Sequence, residues 1–281
     1  MIKEKKNFSK ILFKNLNYNQ YIEEQQFHKI LTLNIKAKIN YNNKIVKNHN
    51  ENINPNKKNP FEPELDDLCR LHWLILMRKV TTILEFGVGK STLIFNDAMK
   101  KNKKNYFVFF KKNLRRNNLF ECHSVDNQKK WINKVRNNNL LDHIRFHFAE
   151  LNTGIFNDRI CTYYNPLPNI CPDFIYLDGP DQSSSKGDVR GINTNHPDRL
   201  PMSADILSIE HFLLPGTLIV VDGRTANARF LKTNLQRNWI YCHDEKNDQH
   251  FFELSEKPLG VYNQKQIKCC LGNSYYSRII S

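Results

Sequence analysis

Two glycines that alternate after a short apolar run mark the stretch of this chain best suited to bind a ligand. Residues 83–84 are apolar, Glu85 follows them, and Gly87, Gly89 and Ser91 then stand at every second position. Glycine lets the main chain adopt positive φ and lets a ligand approach the backbone closely. A helix that begins near Ser91 would offer unpaired N–H groups and the positive end of its dipole. This stretch predicts a site for a small ligand that is at least partly anionic.

Four further acids follow apolar runs downstream, and each run is typical of a buried strand. The acids are Asp126, Glu150, Asp178 and Asp222. The carboxyl ends of parallel strands meet at one edge of a sheet, and ligands of open α/β sheets bind beside that edge. The glycine turn and the four acids are therefore predicted to lie along one edge.

Two familiar nucleotide sites fit the glycine turn poorly. A P-loop needs another glycine five residues before Gly89, and that position is Leu84. A dinucleotide site needs a third glycine where Thr92 stands, because a side chain there crowds the packing of the helix on the strand. Its acidic residue is also expected about twenty residues downstream, whereas Asp126 lies later in the chain.

The pattern Glu85-x-Gly87-x-Gly89-x-Ser91, with acids that end the second and fourth strands, resembles the class I S-adenosylmethionine-dependent methyltransferases. The resemblance covers roughly residues 64–257. It implies an α/β fold, a Rossmann-like three-layer sandwich whose mostly parallel, seven-stranded sheet carries an antiparallel C-terminal hairpin strand. It also implies a transferase that uses S-adenosylmethionine as its methyl donor.

The resemblance assigns the cofactor to the glycine turn and the acids around it. The main chain at Gly87 and Gly89 would approach the methionine and ribose, and Asp126 would accept hydrogen bonds from the ribose hydroxyls. Nearby acids also suit a ligand that carries a sulfonium cation. The cofactor contacts implied in this way are Glu85, Gly87, Gly89, Ser91, Thr92, Asp126, Glu150 and Asp178.

Methyl transfer depends mainly on proximity and orientation, but a hydroxyl acceptor also needs a general base. The candidates for that base are Asp178, Asp181, Asp222 and His196. The long polar loop 181–199 predicts a small-molecule acceptor with hydroxyl, carboxylate or phosphate groups, such as a sugar or nucleotide sugar. An RNA methyltransferase and a catalytically silent, methyltransferase-like binding module are the alternatives.

The resemblance leaves a divalent cation open as a second cofactor. Metal-dependent O-methyltransferases have an acid after the fourth strand, and after the fifth an acid followed by Asp or Asn. Asp178 and Asp222 match, but Gly223 has no ligand atom, so Asn227 would have to replace it. No metal ligand is assigned from the sequence.

The elements that position these residues follow from apolar periodicity, which predicts strands alternating with helices. We expect a Lys/Asn-rich extension over residues 1–60, partly helical or disordered, a methyltransferase-like domain over 61–260 and a C-terminal tail over 261–281. Local patterns predict helices over 64–79 and 91–101, a loop over 106–118, a strand over 144–150 and an irregular stretch after it.

Composition limits the remaining classes of function. The net charge is +14, but the basic residues are mostly spread along a Lys- and Asn-rich chain, so nucleic acid is not expected as a partner. The seven cysteines form no CxxC pair and predict a reducing, cytoplasmic compartment. No signal-peptide core and no run long enough to span a bilayer are seen, so no membrane partner is expected.

Overall fold

The computed structural model describes residues 2–31, 65–137 and 140–281. Within these ranges the strands are β1 (Ile2–Glu4), β2 (Thr82–Phe86), β3 (Glu121–Asp126), β4 (Ile144–Phe148), β5 (Glu150–Phe156), β6 (Arg159–Asn165), β7 (Phe174–Leu177), β8 (Leu218–Asp222), β9 (Trp239–Asp244) and β10 (Gln249–Leu254). The helices are α1 (Phe8–Leu12), α2 (Tyr18–Glu24), α3 (Phe27–Ile30), α4 (Leu65–Met77), α5 (Lys90–Asn113), α6 (Lys129–Asn137), α7 (Asp205–Ile209), α8 (Thr225–Asn234), α9 (Gly260–Cys270) and α10 (Asn273–Ile280).

One sheet carries the predicted ligand edge. Its strand order is β1-β9-β10-β8-β7-β2-β3-β4, and β5 and β6 form a separate hairpin. Strand β10 runs antiparallel to both of its neighbours, and the other neighbouring pairs are parallel. This confirms the predicted Rossmann-like fold with an antiparallel hairpin strand. The short strand β1 adds an eighth member at the edge, beside β9, and the sequence did not predict it.

Alternate residues of the central strands pack against helices on the two faces of the sheet. Leu84 and Phe86 belong to a core that contains residues of α7 and α8, whereas Ile83 packs with residues of α4 and α5. Strands β2 and β7 are buried along their whole length. Strands covered on both sides read as continuous apolar runs, which is why the sequence revealed them.

Helix α5 continues past residue 101 to Asn113, so the predicted loop over 106–118 was wrong in its first half. The Asn102 side chain donates hydrogen bonds to the carbonyls of Ile75 and Val80, each at 3.1 Å. Phe110 is buried and stacks on Phe120, with ring centroids 5.8 Å apart. These tertiary contacts stabilise the second half of α5. Its many Lys and Asn residues had made that segment resemble a loop in the sequence.

The predicted strand over 144–150 and the irregular stretch predicted after it also differ from the structure. Strand β4 ends at Phe148, and Glu150 instead begins the β5–β6 hairpin, where an irregular stretch was expected. Residues 260–281 form two helices, α9 and α10. None of the helices described over 2–31, 65–137 and 140–281 is both long enough and apolar enough to cross a membrane.

Residues 2–31 pack against the rest of the fold through a buried polar chain. His72 on α4 is fully buried, and its Nδ1 lies 2.8 Å from the Tyr21 hydroxyl. Its Nε2 lies 2.9 Å from Asp97 on α5. The remainder of the predicted extension, residues 32–60, lies outside the described residues, and the domain boundaries stay a prediction.

Replacing Tyr21 by Phe should lower the free energy of unfolding by about 1–2 kcal/mol, because His72 Nδ1 is then buried without a partner. The ring and its packing are kept. Tyr163→Phe is the matched control, since Tyr163 is 40% exposed and its variant should change stability by less than about 0.5 kcal/mol. Urea titrations of both variants measure the difference, and equal stabilities would contradict the assigned role of the Tyr21 hydroxyl.

Candidate functional site

Glu85 is buried beneath the glycine turn and holds the start of α5 in place. Its carboxylate accepts hydrogen bonds from the hydroxyls of Ser91 at 2.6 Å, Thr92 at 2.8 Å and Ser124 at 2.5 Å. Burial raises the pKa of Glu85 to about 7, although the three hydroxyls oppose this and Asp178 adds repulsion. Glu85 therefore connects the ends of β2 and β3 to the first turn of α5.

Gly87 and Gly179 touch through their backbones where β2 and β7 end. Gly87 has a φ of +100°, and a Cβ there would lie 3.0 Å from the Gly179 nitrogen. A Cβ on Gly179 would lie 2.9 Å from both the Gly87 nitrogen and the Tyr164 hydroxyl. Both positions therefore need glycine for packing alone. Sequence reasoning missed Gly179, although the succession Asp178-Gly179-Pro180 was a usable turn signal.

Gly89 has a different environment from Gly87. Its φ of −160° is extended, and nothing lies within 4 Å of the position of a Cβ. Its N–H donates to the Thr92 hydroxyl at 3.1 Å, and α5 begins at the next residue. The first N–H groups of a helix have no partner within the helix. The turn therefore presents an open face beside the donors that begin α5.

Asp126 faces the glycine turn from the end of β3. Its Oδ2 accepts from the Val88 N–H at 2.8 Å, and its Oδ1 accepts from the Gln128 N–H at 2.6 Å. Burial raises the pKa of Asp126, the main-chain donors oppose the shift, and Asp181 adds repulsion. A carboxylate oxygen can accept two hydrogen bonds, so both oxygens keep acceptor capacity.

Asp178 presents a carboxylate at the end of β7, with half of its side chain exposed. Arg224 fixes this corner, since its guanidinium donates to the carbonyls of Asp178 and of Pro180, the latter at 2.9 Å. Its Nε lies 3.7 Å from Asp178 Oδ1. Partial desolvation at this corner raises the pKa of Asp178 to about 7, against the opposing charge of Arg224. Asp222 adds repulsion, and the sequence had not singled out Arg224 as an anchor of this corner.

Asp222, at the end of β8, is bonded on the inner side of the same edge. Its Oδ2 accepts from the Tyr176 hydroxyl at 2.9 Å, and its Oδ1 accepts from the Gln249 amide at 3.1 Å. Gln249 in turn accepts from the buried Arg70 at 2.9 Å. Burial raises the pKa of Asp222. Its carboxylate is thus less open to a ligand than that of Asp178.

Asn227, the residue that would have to complete a cation site, is committed elsewhere. It is fully buried, its Oδ1 accepts from the Ser203 N–H at 2.9 Å, and its Nδ2 donates to the Ser203 carbonyl at 3.3 Å. The other two residues implied by the resemblance, Asp178 and Asp222, belong to the hydrogen-bonded and charged corner described above. A divalent cation between them stays a prediction.

Three of the predicted site residues lie on the surface of the 150–203 segment. Glu150 is exposed and accepts from Lys186 Nζ at 2.6 Å. Asp181 caps a short 3₁₀ turn by accepting from the Ser183 N–H at 3.1 Å. His196 is exposed and accepts from the Asp198 N–H at 3.2 Å.

The loop that begins at Asp181 is held against both the hairpin and the predicted cofactor edge. The Lys186 backbone exchanges hydrogen bonds of 2.8 Å with Leu151 and Thr153 of β5. The side chain of Asn127, next to Asp126, donates to the Ser184 hydroxyl at 2.5 Å. Ser184 therefore borders the end of β3.

Comparisons with known proteins add a distant likeness. No protein-family model matches the chain, and no curated protein matches it. Among solved structures it resembles the SAH-bound Podospora anserina methyltransferase PaMTH1, with a TM-score of 0.39 and 11% identity. The likeness covers 88% of this chain and 94% of that chain. A likeness this distant assigns neither a family nor a ligand.

The raised pKa of Glu85, about 7 against an ordinary 4.5, predicts that the fold loses stability as pH rises through 7. Between those values the folded chain binds more protons than the unfolded chain, so stability is highest at the acidic end. Glu85→Gln removes this contribution, which is of the order of 3 kcal/mol. Urea unfolding from pH 5 to 8 should show a flatter dependence for the variant.

The exposed Glu245 in the β9–β10 turn provides the control, because Glu245→Gln should leave the pH dependence of unfolding as in the parent chain. Asp178 and Asp205 also have a pKa of about 7 and act with the same sign, so the Glu85 variant should keep part of the slope. Equal slopes for the parent chain and the Glu85 variant would contradict the assignment.

Proposed function

We propose that this chain is an S-adenosylmethionine-dependent methyltransferase that methylates a hydroxyl of a small polar acceptor, such as a sugar or nucleotide sugar. One observation carries the proposal. The open turn at Gly89, the start of α5 and the carboxylates of Asp126 and Asp178 converge at the carboxyl edge of the parallel strands. Open α/β sheets bind their ligands at this edge.

The groups at this edge suit the parts of S-adenosylmethionine. The N–H groups that begin α5 suit the carboxylate of its methionine portion. The acceptor capacity of Asp126 suits two ribose hydroxyls. Glu85 is bonded to three protein hydroxyls, so it would act by holding the turn.

The charge of the edge favours a cationic ligand over a nucleoside triphosphate. Repulsion from Asp181 helps to raise the pKa of Asp126, and repulsion from Asp222 helps to raise that of Asp178. A sulfonium cation would relieve this repulsion, whereas the negative charges of a triphosphate would add to it. Arg224 is the opposing cation at this corner.

Asp178 is the best-placed general base among the candidates. S-adenosylmethionine would supply the methyl group, and its sulfur would keep the electron pair of the broken S–C bond and leave in neutral S-adenosylhomocysteine. As the acceptor oxygen forms its bond to the methyl carbon, the hydroxyl proton would pass to the Asp178 carboxylate. A pKa of about 7 suits this role, because it keeps much of the carboxylate ionised near neutral pH while leaving it basic. Asp222 is held by Tyr176 and Gln249.

An RNA acceptor is the second candidate, and helix α6 is what favours it. The helix follows Asp126 closely and carries Lys129, Lys130, Lys134 and Arg136. Lys134 lies 4.9 Å from the centre of the Trp131 ring, and Lys129 lies 4.6 Å from that of the half-exposed Phe148. Basic and aromatic side chains together suit single-stranded RNA.

Binding of S-adenosylmethionine should weaken at least tenfold in Gly89→Ala and in Asp126→Asn. The first adds a methyl group to the open face, and the second weakens an ionised acceptor of ribose hydroxyls. Isothermal titration calorimetry measures both effects.

Two measurements separate these losses from misfolding. Gly89→Ala should keep its stability within about 1 kcal/mol, because its φ is ordinary and the space is empty. Asp142→Asn, which changes an exposed acid away from the turn, should bind the cofactor as the parent chain does. If the parent chain binds no S-adenosylmethionine, or if both site variants bind it equally well, the cofactor assignment fails.

The rate of methyl transfer should fall by a factor of about 100 or more in Asp178→Asn, while the affinity for S-adenosylmethionine changes less than tenfold. The assay uses S-adenosylmethionine with a labelled methyl group and offers pooled sugars and nucleotide sugars in one reaction and RNA in another. Label is expected in the small-molecule pool. Label in RNA would contradict the acceptor class, and bound cofactor with no transfer to either pool would favour a silent binding module.

A further inference from the structure

A second set of ligating side chains lies in the β9–β10 hairpin, apart from the glycine turn. His243 and His250 stand opposite each other across the two strands, and their rings stack with centroids 4.0 Å apart. Asp248 lies in the turn between the strands. Potential ligand atoms of the three residues all lie within 4.8 Å of one another.

One ring nitrogen of His243 is placed as a ligand atom would be, since it has no hydrogen-bond partner. Its Nε2 atom is buried and makes no hydrogen bond. Asp248 Oδ1 is 3.9 Å away, which is too far for a hydrogen bond. A buried ring nitrogen without a partner costs about 1–3 kcal/mol, so a group that binds it there would stabilise the hairpin.

The surroundings of His250 resemble the support that metal-binding histidines receive. Its Nδ1 lies 2.9 Å from the Tyr241 hydroxyl, and its Nε2 lies 3.1 Å from the Thr225 hydroxyl. When Nδ1–H donates its hydrogen bond to Tyr241, the Nε2 lone pair accepts from the Thr225 hydroxyl, and rotation of that hydroxyl makes the lone pair available to an ion. A hydrogen bond of this kind fixes the tautomer and the orientation of a ligating imidazole.

We propose that His243, Asp248 and His250 bind a divalent transition-metal ion of the zinc type. Two imidazoles and one carboxylate are ligands that Zn²⁺ and Co²⁺ accept, whereas Mg²⁺ and Ca²⁺ prefer oxygen alone. Water or the Thr225 hydroxyl would complete the coordination. The inference does not rest on the proposed methyltransferase activity.

Binding requires a local adjustment that the structure allows. The two rings are parallel to within 12°, so they cannot both direct a lone pair at one ion as they stand. His243 is the ring that would tilt, because its Nε2 has no bond to break and its side chain is 28% exposed. Asp248 is 45% exposed and lies in a turn, so its carboxylate can approach the ion.

Charges of both signs lie around the proposed ion site. Arg229 and Lys232 lie close enough to act on His250 and would repel a cation. Lys232 is partly neutralised by Glu4, whose carboxylate lies 2.8 Å from its Nζ. The carboxylate of Asp248 supplies the negative charge within the site itself.

The ion would join the hairpin to the segment that follows β8. The Gly223 N–H donates to the Asp248 carbonyl at 2.9 Å, and Thr225 already contacts His250. Arg224 lies between Gly223 and Thr225 and fixes the Asp178 corner. A bound ion would therefore stiffen a segment shared with the proposed active site.

Cobalt titration of metal-free protein tests the site, because bound Co²⁺ absorbs visible light. We expect one Co²⁺ per chain, displaced by Zn²⁺, and a rise in melting temperature on addition of Zn²⁺. His243→Asn should weaken binding at least tenfold and abolish the Zn²⁺-induced rise. That variant should still fold, because no hydrogen bond of Nε2 is lost.

His196→Asn, a change at an exposed histidine, is the matched control and should bind Co²⁺ as the parent chain does. Asp248→Asn is the second site variant and should also weaken binding. No Co²⁺ binding by the parent chain would overturn the proposal, as would binding unaffected by His243→Asn. A thiolate charge-transfer band that persists in His243→Asn would overturn it in favour of cysteine ligands such as Cys171 or Cys269.

Discussion

The close approach of Gly87 to Gly179 is the constraint on which the rest of the site depends. Each backbone occupies the space that a side chain on the other would need, with contacts of about 3 Å to a Cβ on either residue. The ends of β2 and β7 can therefore lie side by side without a side chain between them. Asp178 reaches the surface beside the glycine turn because of this arrangement, and Arg224 holds it there.

Buried and half-buried carboxylates give this edge its chemical character. Glu85 accepts hydrogen bonds from three hydroxyls of the protein, and Asp126 accepts hydrogen bonds from two main-chain N–H groups. Desolvation raises the pKa values of Glu85, Asp126 and Asp178, and each of them is also repelled by a further acid, namely Asp178, Asp181 and Asp222 respectively. An edge of this kind favours a ligand with hydroxyl donors and positive charge, which is the electrostatic basis of the proposed cofactor.

The sequence predicted the parts of the fold that follow from local patterns. The buried strands, the glycine turn and the acid of Asp126 were visible because parallel strands appear as apolar runs with polar residues at their ends. Glu150 shows the limit of that pattern, since an acid after an apolar run can equally begin a hairpin. The length of α5 and the place of Gly179 depend on tertiary contacts, those of Asn102 and of Gly87, which no local pattern contains.

Amide hydrogen exchange with and without S-adenosylhomocysteine is the sharpest test of the proposed cofactor site, because it reports the position of the ligand without any knowledge of the acceptor. We expect slower exchange over residues 87–92 and 126–128 when the ligand is present, and unchanged exchange in the β9–β10 hairpin. Unchanged exchange over residues 87–92 at saturating ligand would contradict the proposed site.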